Sequence, residues 1–512
     1  MVSKSVIPDS ETKMVLQRIE EARADRSFFE AVYNSYIDRT RPSRQRVKNC
    51  PDASSPRPPA EQDDLFDMTL AGAADDFASD FNDEYTPSYK PWTKHKASQD
   101  FAGAGARKQV EEYVKTRMAR TYDRIRESNF EEASQELYYE LSFAPSALMI
   151  AYSPPGKPFR VNHVPIHELL IRPGPYGGVD DRWWERMVMV RHLDTLWPDV
   201  DWSDYGQTLQ LRKESKASAL VAVGGFQDWT GNEEKWFWHV VSNKKVLRRK
   251  EYVGRGSCPL IVARTHVSSP TAYGLGVGLK ALPASRTLDE MNYLGLKFHG
   301  RTLDPPVIFS DAGTLNPEGG IENGAWLQAD EGFKIHELRP EGSARESWFK
   351  EEQLRMDIKR PLFQDGPEQR GDTPPTLGQW LSEEARSARR KSFPRARLQA
   401  ELVLPSLWRF DWMMQKRGEI EPIKVDGNLV TVEPISPMSR SADIEEAQIA
   451  VQFLQGIGGV LPNEMGRIDG TKTLNDIRSR MGADLVSILS DEEFQAKMQQ
   501  QAELQQQPQQ GV

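Results

Sequence analysis

Apolar residues recur at spacings of three and four in the first third of the chain, which predicts long amphipathic helices. One stripe runs through residues 10–37 and a second through residues 63–84. The first consists of Val15, Ile19, Ala22, Phe29, Val32, Tyr33 and Tyr36, and the second of Phe66, Leu70, Ala73, Phe77 and Phe81. More highly charged helices are predicted over residues 106–126 and 129–143. These segments together favour a helical platform.

From residue 148 the pattern changes to short apolar or β-branched runs between turn residues. The runs LMIAY, FRVNHVPI, ELLIRPG and ERMVMVRHL come first, and KWFWHVV, KKVLRRKEYV and PLIVARTHV follow. Such runs predict strands joined by turns. Residues 148–267 are therefore interpreted as an α+β region of antiparallel hairpins, with residues 193–218 helical or irregular.

Residues 271–371 read as two helices around a small strand-and-turn module. Leu288, Met291, Leu294 and Phe298 give the first helix one apolar face, and Pro305 ends it. The second helix carries Trp348, Phe349, Leu354 and Ile358 and ends at Pro361. Between them, strands are predicted at 307–309, 325–328 and 333–338. The pattern indicates a stalk with a tip, and an ordinary surface hairpin is the alternative for the tip.

The last part of the chain returns to helical patterns after a loop rich in Gly and Pro at 364–375. A long helix is predicted over 376–417, kinked at Pro394 and capped by Gly418. A hairpin is predicted over 423–432 around Asp426-Gly427-Asn428. Short helices follow at 442–454, 473–481 and 491–504, and the chain ends in a Gln-rich tail.

Composition narrows the class of protein without naming a function. The 512 residues carry a formal charge of -9, and the two cysteines, Cys50 and Cys258, suit a reducing cytoplasm. The N-terminus has no apolar core after its lysine, so no signal peptide is expected. No run reaches the roughly 18 apolar residues of a membrane span, so no membrane contact is expected.

Two motifs invite catalytic hypotheses, and both fail on spacing. His163 and His167 lie in a strand-like run, where they would share a face about 13 Å apart, too far for one zinc ion. Gly274, Gly276, Gly278 and Lys280 do not match the spacing of a phosphate loop or a dinucleotide fingerprint. These glycines are interpreted as a tight turn into the first stalk helix. The sequence therefore predicts no catalytic site, no metal and no cofactor.

Many weak motifs occur in an order that resembles the portal (head-to-tail connector) proteins of short-tailed bacteriophages. The central ones are Y-G-x-G at 273–276, L-P at 282–283 and D-P-P at 304–306. Upstream lie Tyr89-Lys90-Pro91-Trp92 and Ser128-Asn129-Phe130, and downstream lie Gln399-Ala400-Glu401-Leu402 with Pro405 and Ile435-Ser436-Pro437-Met438. The resemblance covers roughly residues 64–491. The family's Thr-Ala-x-Glu is replaced here by Leu377-Gly378-Gln379-Trp380.

The resemblance implies an α+β portal fold assembled as a ring, with a wing, a two-helix stem, a small β-rich clip and a helical crown. Residues 1–270 would form the helical platform and α+β wing, 271–304 the first stem helix, and 305–342 the clip. Residues 343–362 would form the second stem helix, 363–375 the tunnel loop, and 376–435 the long kinked helix and rest of the wing. Residues 436–500 would form the crown, and 501–512 the flexible Gln-rich tail.

The resemblance also implies a non-enzymatic role at the portal vertex of the virion, after assembly in the host cytoplasm. The chain would form a dodecameric ring through which double-stranded DNA is packaged and ejected. Its partners would be the terminase large subunit, capsid and scaffolding proteins and a tail adaptor. The alternative is a tail or head-completion adaptor protein without its own DNA-translocation channel.

Eight residues are candidates to contact DNA in such a channel. Glu368, Gln369 and Arg370 would lie at the tip of the tunnel loop, where a plain linker between helices is the alternative. On the stem helices the candidates are Arg286, Lys297, Arg301, Lys350 and Lys359. Few cations suit transient contact, because each neutralised phosphate adds salt-dependent affinity that would slow moving DNA.

Overall fold

The α+β character predicted from the sequence is confirmed by a computed structural model of the chain. It describes residues 8–42, 65–88, 91–97, 104–152, 159–231, 233–267, 271–305, 307–310, 326–329, 336–337, 344–364, 390, 394–420, 430–434, 447, 449–456 and 470–481. The chain divides into two compact units, the first formed by residues 1–90 and 97–429 and the second by residues 91–96 and 430–512.

The first unit begins with helices and continues into strands, in the order that the periodicity predicts. The early helices are α1 (Asp9–Thr40), α2 (Thr69–Tyr85), α3 (Ala104–Glu127) and α4 (Phe130–Leu141). The strands that follow are β2 (Ser146–Ala151), β3 (Arg160–Val164), β4 (Leu169–Pro173), β5 (Val179–Met189), β6 (Ser218–Asp228), β7 (Lys235–Ser242), β8 (Lys245–Val253) and β9 (Leu260–Ala263). Two short helices, α5 (Val190–Leu196) and α6 (Leu209–Glu214), lie between β5 and β6.

Two antiparallel sheets organise this unit. β4 to β8 form a five-stranded meander, and β2 is the central strand of a three-stranded sheet with β3 and β9 at its edges. The predicted antiparallel hairpins are therefore confirmed. β6, for which the sequence pattern predicts no strand, lies at the centre of the meander. It passes close to its neighbours through Gly225, where a Cβ atom would lie 1.9 Å from the carbonyl oxygen of Phe237.

Helix α1 packs on the five-stranded sheet through its predicted apolar face. That face contributes Val15, Ile19 and Ala22 to a core that also contains Leu170, Trp183, Ala222, Phe226, Val241 and Val246. Burying such side chains stabilises the fold by about 1.5–3 kcal/mol each. The α1 stripe thus encodes a contact with strands that follow it by nearly 150 residues or more.

Ion pairs flank this core and fix how α1 lies on the sheet. Arg18 donates to Asp181 at 2.5 Å, and Arg23 makes two hydrogen bonds to Glu185, which is 1% exposed. Arg26 is fully buried and donates to the carbonyl oxygen of His167 at 2.8 Å. A buried charge is tolerated only when it is hydrogen-bonded or paired, so these contacts specify one register for α1.

Helix α2 begins six residues later than the predicted start at residue 63. The backbone amides of Phe66 and Asp67 donate to Asp289 Oδ1 at 2.8 and 3.1 Å. The Asp67 carboxylate in turn accepts from the Thr69 amide at 3.0 Å. These carboxylates accept hydrogen bonds from backbone amides that would otherwise belong to the first turn of a longer helix. The helix therefore starts at Thr69.

The predicted stalk and tip correspond to two helices and a small sheet. A 3-10 turn, Val277–Ala281, leads into α7 (Leu282–Leu303), so this helix fills only the later part of residues 271–304. β10 (Val307–Ser310), β11 (Trp326–Ala329) and β12 (His336–Glu337) form a three-stranded sheet with β10 in the middle. β10 pairs with β11 in parallel and with β12 antiparallel. The chain returns through α8 (Ala344–Lys359) and the 3-10 turn Arg360–Leu362.

The described end of the long predicted helix is interrupted. Gln399–Val403 is π-helical and leads into α9 (Leu404–Arg417), whose first turn contains Pro405. Proline lacks an amide hydrogen and crowds the preceding turn, which explains a widened turn just before it. Gly418 ends α9 at φ 73°, as predicted, and its amide donates to the Gln415 carbonyl at 3.0 Å. The surroundings of the predicted kink at Pro394 lie partly outside the described residues.

In the second unit, β1 (Thr93–Ala97), for which the sequence pattern predicts no strand, pairs with β13 (Val430–Pro434). The other arm of the hairpin predicted over 423–432 lies outside the described residues. A helix is present at Gly470–Met481, close to the predicted 473–481, and residues 449–456 are also helical. The helix predicted at 491–504 and the Gln-rich tail lie outside the described residues.

Candidate functional site

The glycine-rich entry into α7 lies against the end of α4. The amides of Gly276 and Gly278 donate to the carbonyl oxygens of Phe143 and Ser142 at 2.9 and 2.7 Å. A Cβ atom at Gly276 would lie 2.3 Å from the Ser142 oxygen and 2.4 Å from the Phe143 backbone. These glycines therefore permit a close backbone approach, and Gly276 itself has an ordinary negative φ. Two amides that a phosphate loop would offer to a ligand are already bonded.

Tyrosines tie this entry to α1 and to the sheet. Tyr33 on α1 donates its hydroxyl hydrogen to the Gly274 carbonyl at 2.7 Å. The Tyr273 hydroxyl accepts from the Ile171 amide at 3.0 Å and donates to the Ala22 carbonyl at 3.3 Å. Burial raises the pKa of both tyrosines above the usual value, so both stay protonated donors. The start of α7 is thus held rigidly on the body of the first unit.

An aromatic cluster supports the end of α8 from the side of α2. Phe77 and Phe81 stack at 4.0 Å, and Phe363 lies 6.4 and 6.1 Å from their rings. Ile358 and Leu362, which precede Phe363 in the chain, are also fully buried. The apolar stripe predicted on α2 therefore packs against the segment that follows α8.

Three of the predicted channel cations share one side of α7. Arg286, Lys297 and Arg301 are separated by 11 and 4 residues, close to whole numbers of turns, and all three are exposed. Their side of the helix lies opposite Leu288, which is fully buried. Lys297 rests on the Tyr293 ring, 4.1 Å from its centroid. The exposed side of α7 thus presents a cationic stripe, which is defined here as Arg286, Lys297 and Arg301.

One member of the stripe also contacts α1. Arg286 donates to the Ser35 hydroxyl, while its own side chain stays exposed. Arg286 therefore lies at the body end of the stripe, and Arg301 lies in the last turn of α7.

The two candidates on α8 do not share a side of their helix. Lys350 and Lys359 are both exposed but are nine residues apart, which is two and a half turns. They flank the buried Ile358 on opposite sides. At most one of them can point in the same direction as the stripe on α7. The tunnel-loop candidates Glu368, Gln369 and Arg370 lie outside the described residues.

Asp289 is a positioning residue that sequence reasoning missed. Its carboxylate pairs with Arg39 at 3.2 Å and accepts the two amides that precede α2. It thereby connects α7 to α1 and to the start of α2. An acidic residue on the polar side of a helix gives no sequence signal for such contacts, because its partners are more than 200 residues away.

The histidines of the zinc hypothesis have separate environments. His163 Nε2 lies 2.9 Å from Glu140 Oε2, a fully buried carboxylate that also accepts from the Ile166 amide at 2.9 Å. His167 Nε2 lies 4.0 Å from Glu168 instead. Across the ranges that the structure describes, no group of three or more His, Cys, Asp or Glu side chains could hold a metal ion.

Comparison with known families decides what kind of protein this is. The family model described as bacteriophage head to tail connecting protein matches residues 12–489. The chain belongs to this family of head-to-tail connectors. The resemblance to portal proteins is confirmed, and the protein is a structural component of the virion at the head–tail junction. In the described part of this connector, no helix is long and apolar enough to cross a membrane.

Two solved structures are similar to the connector. One is a chain from the neck of an empty GTA particle computed with C6 symmetry, with 13% identity, 80% of this chain and 89% of that chain covered, and a TM-score of 0.34. The other is a chain from the virion of a native gene transfer agent particle, with 12% identity, coverage of 78% and 87%, and a TM-score of 0.34. A search of curated proteins gave no match.

Proposed function

We propose that this connector forms a dodecameric ring that serves as the DNA channel of the capsid vertex. The family match carries the proposal, because it spans residues 12–489 of the 512. In this ring the α7–β10–β11–β12–α8 segment provides the stem and clip, with residues 305–342 as the clip. The two sheets and α1 provide the wing, residues 436–500 the crown, and residues 363–375 the tunnel loop.

The geometry of α7 supports a stem that contacts DNA weakly. Its exposed side carries three cations in the space of sixteen residues, together with the carboxylate of Glu290 and the apolar Leu294, which is 53% exposed. Such a mixed surface can attract the phosphate backbone without the dense contacts that create tight binding. The stripe on α7 and one of Lys350 and Lys359 are therefore the proposed stem contacts, with Glu368, Gln369 and Arg370 in the tunnel loop.

The same ring would connect the head to its partners. In the proposal it accompanies capsid and scaffolding proteins during assembly, docks the terminase large subunit, passes double-stranded DNA in both directions and then receives a tail adaptor. The protein provides shape and charge in this process, and no reaction is assigned to it.

Mass measurement and electron microscopy of the purified protein test the proposal. We expect annular particles with a central hole and a mass of about 700 kDa, twelve copies of the 58.2 kDa chain. If the protein remains monomeric alone and with scaffolding protein, yet joins rings of another portal, it acts as an adaptor. That result would overturn the channel assignment and leave the family membership intact.

A further inference from the structure

A second group of cations lies outside α7, on aromatic rings near the end of β8 and on α9. Arg255 lies over the Trp408 ring at 3.6 Å, and Lys250 lies over the Tyr252 ring at 5.0 Å. Lys416 lies 5.6 Å from the centroid of Trp412. We define these three cations and three rings as the tryptophan surface.

Two of the three rings of this surface are in contact, and the third lies next to them along α9. Tyr252 and Trp412 meet edge to face at 5.9 Å, and the Trp412 indole nitrogen donates to the Val253 carbonyl at 3.1 Å. Trp408 and Trp412 are one helical turn apart on α9. The chain that follows β8 passes directly over Trp408 at Gly256, which has φ 73°. Only glycine allows this approach, since a Cβ atom there would lie 2.5 Å from the Trp408 backbone. Two elements thus build one surface.

The three cations of this surface make no ion pair with the described part of the chain. No described carboxylate lies within ion-pair distance of Lys250, Arg255 or Lys416. Three nearby carboxylates bind other cations: Glu251 pairs with Lys235 and Arg249, Asp411 with Arg117, and Glu419 with Arg124 and Arg417. A fourth, Glu234, accepts hydrogen bonds from the Trp236 indole and the Gly256 amide and acts on Arg255 from beyond ion-pair distance.

A further cation lies behind the rings. Arg409 is 2% exposed, donates to the carbonyl oxygens of Ile150 and Ser257 at 3.1 and 2.6 Å, and lies 4.8 Å from the Trp412 centroid. Burial lowers its pKa, and burial also lowers the pKa of Arg255, where Glu234 offsets part of the shift. An anion at the surface would offset the positive charge that Glu234 compensates only in part.

We infer that the tryptophan surface binds the phosphate backbone of duplex nucleic acid, outside the proposed channel. The cations rest on the ring faces, so the rings orient donors for phosphates and are not free platforms for unpaired bases. The whole chain has a net charge of -9, so a group of cations is a local exception on this protein. Such a local positive charge can attract a polyanion although the protein as a whole is acidic. A backbone contact of this kind carries no sequence preference.

Binding of a covalently closed circular duplex tests the inference, because a closed circle cannot thread a closed ring. The test variant is the triple K250Q/R255Q/K416Q. The matched control is K213Q/K216Q/K244Q, which removes the same charge from three exposed lysines elsewhere. Particle mass and tryptophan fluorescence are recorded for every variant, so loss of the proposed ring is measured separately from loss of binding.

We expect the test triple to weaken binding at about 0.1 M salt by at least about tenfold and to reduce the salt slope by up to about 2.7, about 0.9 per phosphate contact. The control triple should bind as the wild type does. K416Q alone, at an exposed position near the end of α9, should reduce the salt slope by about 0.9. This single variant keeps the test valid if the triple variant misfolds.

Three results would overturn the inference. The first is that the wild type fails to bind the circular duplex. The second is that the test triple and the control triple lose affinity equally. The third is that binding of a polyglutamate peptide depends on the test residues while binding of the duplex does not. The last result would assign the surface to an acidic protein partner.

Discussion

The pH dependence of stability should reveal the buried Asp181 beneath α1. Asp181 is 2% exposed and is bonded to Arg18. Burial, only partly offset by Arg18, raises the pKa of Asp181 from 3.8 to about 6. The folded protein therefore binds this proton more tightly than the unfolded chain does. The stability that Asp181 contributes is fully present below pH 3.8 and is lost as the pH rises through about 6.

The size of the effect follows from the two pKa values. At 1.36 kcal/mol per pKa unit, the total loss is about 3 kcal/mol, of which about 2 kcal/mol falls between pH 4.5 and pH 7. In the Asp181→Asn variant this titration is absent. The free energy of unfolding of the wild type, minus that of the variant, should therefore decrease by about 2 kcal/mol across this interval.

Urea unfolding followed by tryptophan fluorescence measures this difference, since Trp183 belongs to the core under α1 and lies two residues from Asp181. Asp199→Asn is the control, because its side chain is 55% exposed. Its curve supplies the baseline for the loss of one exposed carboxylate, and the Asp181→Asn difference is measured against it. If the curves for the wild type and Asp181→Asn run parallel from pH 4.5 to pH 7, burial does not raise this pKa, and the description of the α1 contact is wrong.

Further predictions concern the contacts that hold the fold together. Gly276→Ala should destabilise the first unit by about 3 kcal/mol or more, because the added Cβ would overlap the backbone at the end of α4. Gly295→Ala should be neutral or slightly stabilising, because a Cβ added there meets no atom of another element within 4 Å. Thermal unfolding of the two variants measures the difference. Ile19→Ala should cost about 2–5 kcal/mol and speed proteolysis of α1, and unchanged cleavage would contradict its place in the core. Arg264→Ala should cost about 3–5 kcal/mol in urea unfolding, since Arg264 is 2% exposed and pairs with Glu401; a loss under 1 kcal/mol would refute a buried pair.

Much of the fold could be read from periodicity, because local rules govern helix and strand formation. The stripe on α2 and the alternating runs that became β5 and β7 depend on spacings within a few residues. The same holds for Gly418, whose left-handed conformation suits glycine at a helix end. The order of weak motifs was enough to identify the connector family before any contact was known.

The candidate site could be read only in part. Periodicity alone puts Arg286, Lys297 and Arg301 on one side of α7 and separates Lys350 from Lys359. Which side of each helix is buried depended on the contacts that the stalk makes with α1 and α2.

The sequence by itself determined the helices, most strands and the family, since these follow from local spacing and motif order. Only the tertiary structure decided the partners of α1, the anchoring role of Asp289 and the meeting of β8 with α9 at Trp412. Each of these contacts joins residues that are far apart in the chain, with sequence separations from about 160 to more than 200 residues. Hydrogen bonds and ring contacts at such separations leave no periodic trace, because they are fixed by how whole elements pack.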